Sequence, residues 1–278
     1  MEFEGGEGFY TDDFMADVMG INELPSVLYQ YTSVESLEKI LSSRTLRFSR
    51  LDTVNDPEEA TASDVPKAST SIFVSCWSSN EIEQIPMWSM YGQNFCGVRM
   101  RLPANMFKGR HEPIIFDKGG AITTVDESYT IVRKAPAMQT TGRAIIGPNK
   151  IYYNDDPAYR ARKLVHRRGG VANYYPYDIG MVKGADWSHE EEWRFRIAAL
   201  SFETQFPDDT YLNEVTLDFE EYPVETQALF VPLDESALDE LEITIGPKAD
   251  GTVVVDVGNM LSKFAPRADL VRSQIRIR

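Results

Sequence analysis

Apolar positions along the chain recur with two periods, and the switches between them mark the elements. Residues 27–31 (Val-Leu-Tyr-Gln-Tyr) read as a strand. Thr32 follows as the expected N-cap of a short helix, and Glu35 completes a capping box. Val34, Leu37, Ile40 and Leu41 supply the apolar stripe of that helix. Residues 46–49 read as a second strand, and Asn55-Asp56-Pro57-Glu58-Glu59 predicts a turn with Pro57 opening a helix. Residues 71–78 form a strongly apolar strand. Residues 86–91 form a helical turn or two that stops near Gly92, and 96–102 a strand with Val98, Met100 and Leu102 inward.

Farther along the pattern weakens. Strand-like runs fall at 121–124 and 151–153, and a basic helix is expected over 157–168, broken by Gly169-Gly170. Short strands are expected at 199–204, 210–217 and 228–232, then a helix at 233–241. A strand at 241–245 ends on Gly246-Pro247, and a helix over 253–264 and a strand over 273–278 close the chain. No internal repeat occurs, and strands and helices mix without a βαβ rhythm. The expected fold is therefore α+β, a mainly antiparallel sheet core with short flanking helices. Residues 1–24, acidic and glycine-containing, read as a loosely ordered arm with one short helix near 12–19, ahead of a single domain over 25–278.

The segment from Trp187 to Ile197 carries the most chemistry. Strict alternation places Glu191, Trp193, Phe195 and Ile197 on one strand face and Glu190, Glu192, Arg194 and Arg196 on the other. The first face reads as core. The second, with two carboxylates and two guanidinium groups in line, reads as a cleft lining or an ion-pair network.

Bulk properties narrow the setting. A length of 278 residues, 42% hydrophobic and 26% charged, is ordinary for a globular protein with a sizeable core. The net charge of −15 argues against nucleic acid as a partner. Residues 160–168 (Arg-Ala-Arg-Lys-Leu-Val-His-Arg-Arg) read as solvated helix surface, with a phosphate-bearing ligand as the sharper reading. Two cysteines, Cys76 and Cys96, fit a reducing compartment, so a cytoplasmic location is expected. The first Lys or Arg is Lys39, and no long apolar run occurs, so neither a secretory signal nor a membrane partner is expected.

Glycine-rich phosphate loops and a nucleophile elbow are absent. With three histidines, a His-rich metal centre is excluded, although Asp186, His189, Glu190 and Glu192 could hold a hard cation.

Several spaced segments together resemble a bacterial family known as domain of unknown function 2971. They are Leu28-Tyr29-Gln30-Tyr31 before a helix ending Ile40-Leu41, Asn55-Asp56-Pro57-Glu58-Glu59, and Val74-Ser75-Cys76-Trp77-Ser78. Met87-Trp88-Ser89-Met90-Tyr91 with Gly97-Val98, Trp187-x-x-Glu190-x-Glu192-Trp193-Arg194, and Ile243-Thr244-Ile245-Gly246-Pro247 continue in the same order. A weaker resemblance, strand then Tyr31-Thr32 then helix then exposed strand, is to the opening of ADP-ribosyltransferase folds. That resemblance implies a first strand contacting nicotinamide, a later Ser-bearing strand supporting the pocket, and a late strand supplying a catalytic Glu. Tyr29, Gln30 and Tyr31 stand where those enzymes place an Arg or His.

The leading expectation is an enzyme acting on the N-glycosidic bond of NAD or a related nucleotide. Glu192 would be the electrostatic or general-base carboxylate and Glu190 its assistant. Tyr29 and Tyr31 would contact the base, and Ser75 would support the pocket. Asn55 and Asp56 would lie on a loop over the cleft, and Arg194 would hold a phosphate or orient Glu192. NAD enters here as substrate, and no cofactor is firmly implied. The alternatives are a non-catalytic stress- or phage-response module with a protein partner, and a hydrolase using a divalent ion on Asp186, Glu190 and Glu192.

Overall fold

Alternation in β1 (Val27–Thr32) sends Leu28 to one face and Tyr29 and Tyr31 to the other, and this division runs through the whole sheet. The computed structural model describes residues 23–107, 145–168, 171–202, 219–220 and 224–277, and the backbone of strands 122–126, 129–132 and 137–140. The side chains of 167–173 and 199–202 are outside that description. The expected helix near 12–19, the expected strand 210–217, Gly169-Gly170 and all but the last two residues of the expected arm also lie outside it.

In chain order the elements are β1, α1 (Val34–Ser43), β2 (Thr45–Arg50), β3 (Ile72–Ser78), α2 (Ile85–Met90) and β4 (Val98–Pro103). Then come β5 (Ile122–Asp126), β6 (Tyr129–Val132), β7 (Ala137–Thr140), β8 (Ile146–Lys150), β9 (Tyr152–Tyr153) and α3 (Pro157–Arg160). They continue with β10 (Val165–Arg168), β11 (Val171–Tyr174), β12 (Val182–Lys183) and β13 (Glu192–Phe202). The last are β14 (Ala228–Pro232), α4 (Glu235–Asp239), β15 (Glu242–Ile245), α5 (Gly251–Phe264) and β16 (Asp269–Arg272). The fold is α+β and mostly antiparallel. The main sheet runs β14-β2-β3-β1-β4-β15-β16, with β13 on β3 and with β7 and β8 on β13. Among the described strands of this sheet, only β15 and β16 run parallel.

One face of this sheet is the main core. Leu28, Phe73, Trp77, Met100, Trp193 and Phe195 point to it, and α1 and α5 cover it with Leu37, Leu41, Val257 and Leu261. Each such side chain contributes about 1.5–3 kcal/mol by leaving water. The opposite face is discontinuous. Ile72, Val74 and Ala198 join Leu51, Leu164 and Ile179 in one apolar cluster, while Tyr31, Met87 and Trp88 form another. The charged side chains of β13 lie on this second face.

The sheet forks at β3. β13 pairs along β3 from Ile72 to Ser78. On the other edge β2 pairs only at Phe73 and Val74, and β1 only at Ser78. Between those points β3 has neither strand as a partner, and the Gln30 side-chain amide donates to the Cys76 carbonyl at 2.9 Å in their place.

Several expectations shift. The N-cap of α1 is Ser33, whose hydroxyl accepts from the Ser36 N–H, rather than Thr32, which still belongs to β1. Pro57 opens a turn and no helix. The basic segment is one helical turn, α3, followed by β10, because Asp64 takes the Leu164 and Val165 N–H groups and holds the chain extended. The last strand is β16, and 273–277 has no regular structure.

Candidate functional site

The alternation of β13 begins one residue later than the charge pattern suggests. Glu191 adopts a left-handed conformation (φ 44°), is exposed, and closes the 3-10 turn Ala185–Glu190. It therefore does not share a face with Trp193, and Glu190 is presented by the turn rather than by the strand. Trp193, Phe195 and Ile197 enter the main core, and Glu192, Arg194 and Arg196 are buried on the other face.

Five charges meet there. Arg194, wholly buried, donates from Nε to Glu192 Oε1 at 2.8 Å and from Nη1 to Glu59 Oε2 at 3.0 Å and the Gly180 carbonyl at 2.8 Å. Its Nη2 lies 2.6 Å from Glu192 Oε1. Lys183 Nζ donates to Glu190 Oε2 at 2.5 Å and Glu192 Oε2 at 3.2 Å, and sits over the Trp187 ring. Tyr91 donates its hydroxyl to Glu190 Oε1 at 2.6 Å, and Asn55 Nδ2 donates to that hydroxyl at 3.0 Å. The Tyr153 hydroxyl accepts the Glu192 N–H at 2.8 Å.

The two carboxyls that share Arg194 differ electrostatically. Burial alone would push Glu192 up, but Arg194 and Lys183 outweigh it and hold the carboxyl at about 2, ionised at neutral pH. Glu59 is pushed up by burial, against the pull of Arg194, and by the Glu192 charge. Its Oε1 is buried without a hydrogen-bond partner. Lys183 is raised: burial opposes its charge, but Glu192 and Glu59 more than compensate. Burial pushes the Cys76 thiol well up, so it is no ready nucleophile.

This cluster floors a cavity of about 820 Å³ that opens at the fork of the sheet. Glu59, Lys183, Glu190, Glu192 and Arg194 line the floor; Tyr29, Tyr31, Met87, Tyr91 and Asn55 line one wall. Of the residues expected to form a site, Glu190, Glu192, Arg194, Tyr29, Tyr31 and Asn55 are thus brought together. Tyr29 and Tyr31 are committed to packing. Arg99 covers the Tyr29 ring at 3.8 Å, and the Tyr31 hydroxyl accepts the Gln84 N–H while its ring packs edge-on to Trp88.

Two residues lie elsewhere. Ser75 faces the main core, paired with Phe195, and accepts the Trp77 indole N–H at 2.9 Å; Cys76 takes its place at the cavity. Asp56 is not in the lining. Its carboxylate accepts the Glu58 and Gly184 N–H groups and clips the 55–60 turn to the 183–184 strand end. Arg194 donates to Glu192, Glu59 and the Gly180 carbonyl, and its buried Nη2 lies against Glu192 without a formed hydrogen bond.

Sequence reasoning missed Glu59 and Lys183 as cluster members. A lysine directly after the apolar Met181-Val182 pair was the one local signal of a buried ammonium. Lys183 also sits between Glu190 and Glu192, where a cation shared by both would have to lie. Among the described residues no group of His, Cys, Asp and Glu is arranged to hold a metal ion, and no helix is long and apolar enough to cross a membrane.

The family model described as "Protein of unknown function (DUF2971)" matches residues 87–195, and the resemblance to that family holds over this stretch. It spans the segment from Met87 through the Glu190–Arg194 motif. Neither the curated proteins nor the solved structures include a match to the chain.

Proposed function

We propose that the forked-sheet cavity binds NAD or a related nucleotide and that the protein cleaves or transfers at its N-glycosidic bond. The observation that carries this reading is Glu192, a carboxylate kept ionised at the floor of a ligand-sized cavity. In the step envisaged, the bond from the anomeric carbon to the base nitrogen breaks and its electron pair leaves with the base. The positive charge that develops on the sugar is stabilised by Glu192, pre-oriented by Arg194 and Lys183. An acceptor oxygen then bonds to the anomeric carbon and gives up its proton, with Glu190 assisting. The weak resemblance of the opening elements to ADP-ribosyltransferase folds supports the same reading. Glu190 and Glu192 do not flank a bond as a glycosidase pair, because Lys183 bridges them.

A second reading, a non-catalytic interaction module, is favoured by the binding of Arg194 to two carboxylates and a backbone carbonyl inside the protein. The test that separates the two is calorimetry with NAD together with an assay for released nicotinamide, run well below the melting temperature. Glu192→Gln should keep NAD affinity within a few-fold and lower turnover by about 10²-fold or more. No binding of NAD would remove the enzymatic reading, and full turnover by Glu192→Gln would remove Glu192 from the chemistry.

A further inference from the structure

The cavity does not end at its charged floor. It continues along β2 and β14, where Thr45, Arg47, Ser49, Ala228 and Phe230 line it. Leu46 and Phe48 point into the core, so Thr45, Arg47 and Ser49 project together from the other face at intervals of about 7 Å. The register sets Phe230 opposite Arg47 and Ala228 opposite Ser49, on that same face.

Two features of this end leave it open to a ligand. Phe230 is 60% exposed on the open face, while Leu229 and Val231 turn into the core. Arg47 is exposed and has no acidic partner among the described residues, whereas the nearby Arg44 and Arg50 pair with Glu235 and Asp52. The carboxylates that line the cavity, Glu59, Glu190 and Glu192, all lie at the other end. In a chain of net charge −15, an unneutralised guanidinium beside a bare aromatic ring in a shared cavity suits an anion attached to a planar ring.

We propose that this outer end is a subsite for a nucleoside phosphate: the base stacks on Phe230 and the phosphate meets Arg47. The proposal rests on the function proposed above and specifies its substrate class as a dinucleotide, one half at the floor and the adenylate half on β2 and β14.

Calorimetry with ADP tests the subsite, and nicotinamide mononucleotide probes the floor separately. Phe230 and Arg47 are exposed, so Phe230→Ala and Arg47→Ala should melt with the parent protein. Each variant is expected to weaken ADP and NAD binding by about tenfold, and to leave nicotinamide mononucleotide binding unchanged. Absence of ADP binding, or ADP and NAD affinities unchanged in both variants, overturns the subsite. If ADP binds and responds to the variants while NAD and nicotinamide mononucleotide do not bind, the subsite stands and the glycosidic reading falls. If NAD turns over equally in parent and variants, the reverse holds.

Discussion

Glu59 and Glu192 touch the same guanidinium, yet neutralising them should have opposite effects. Glu192 titrates at about 2 in the folded protein against an ordinary 4.5. A depressed acid lends stability that is complete above its unfolded value and is lost as pH falls towards the folded one. The gap between 4.5 and 2 corresponds to about 3 kcal/mol at neutral pH. Glu192→Gln should therefore lower the melting temperature at pH 7 by on the order of 5–10 °C. It should also flatten the loss of stability between pH 4.5 and 2. Glu59 is shifted the other way, by burial first and then against the pull of Arg194. A raised acid favours the folded state while protonated and opposes it once ionised, so its contribution declines as pH rises through the folded value. Glu59→Gln keeps an acceptor for Arg194 Nη1 and removes the charge, so its stability at pH 7 should equal or exceed the parent's. Thermal and urea unfolding of the three proteins at pH 7 and across pH 3–6 measures this. Equal destabilisation by both substitutions at pH 7 would refute the reasoning, as would an acid limb in Glu192→Gln as steep as the parent's.

Arg194→Met should cost about 3–5 kcal/mol by leaving two buried carboxylates without their shared cation, and Arg194→Lys should recover little of it, because an ammonium cannot span Glu59 and Glu192 as the fork does; urea unfolding reads both. Chelator should leave the melting temperature unchanged, since Lys183 holds the position between Glu190 and Glu192; a chelator-sensitive transition restored by one divalent ion would promote the hydrolase reading. Gly97→Ala should cost about 2–3 kcal/mol, because a Cβ there would stand 2.3 Å from the Thr32 carbonyl oxygen, backbone that cannot swing aside; a melting temperature within 2 °C (roughly) of the parent's would show that the turn yields.

The elements that were legible were those whose apolar period belongs to the sheet or to its covering helices. β3, β4, β14, β15 and α5 lie where alternation or a 3.6-residue stripe put them, because each buries one face against the main core. The errors arose where polar contacts set the backbone. A capping-box pattern at Thr32 lost to Ser33, since Thr32 is needed in the ladder opposite Val98. The basic run 160–168 has helical composition, but Asp64, about a hundred residues away in sequence, claims two of its N–H groups. The charged face of β13 was legible by alternation from Glu192 onward. The contribution of Glu190 through a turn, and the arrival of Glu59 from another turn and of Lys183 from β12, depend on tertiary closure that no local period encodes.

The cavity follows from a conflict over one strand edge. β1 and β2 both run antiparallel to β3, so they are parallel to each other and joined through α1. α1 packs on the core face of the sheet, and β1 and β2 grip different ends of the β3 edge and diverge. The gap exposes the face that carries Glu192 and Arg194, and the divergence carries Arg47 and Phe230 away from that floor. The charges are therefore segregated along one cavity. Three carboxylates against two cations leave the floor negative when Glu59 is ionised and neutral when it is protonated, while Arg47 keeps the outer end positive. A ligand with a cationic ring at one end and phosphates towards the other is oriented by that field. The reversed pose would set phosphates against Glu190 and Glu192. Protonation of Glu59 weakens the preference, so affinity for a ligand of this kind should fall as pH drops through the raised value of Glu59. A phosphate-only probe such as ADP, seated at Arg47, should not show that dependence.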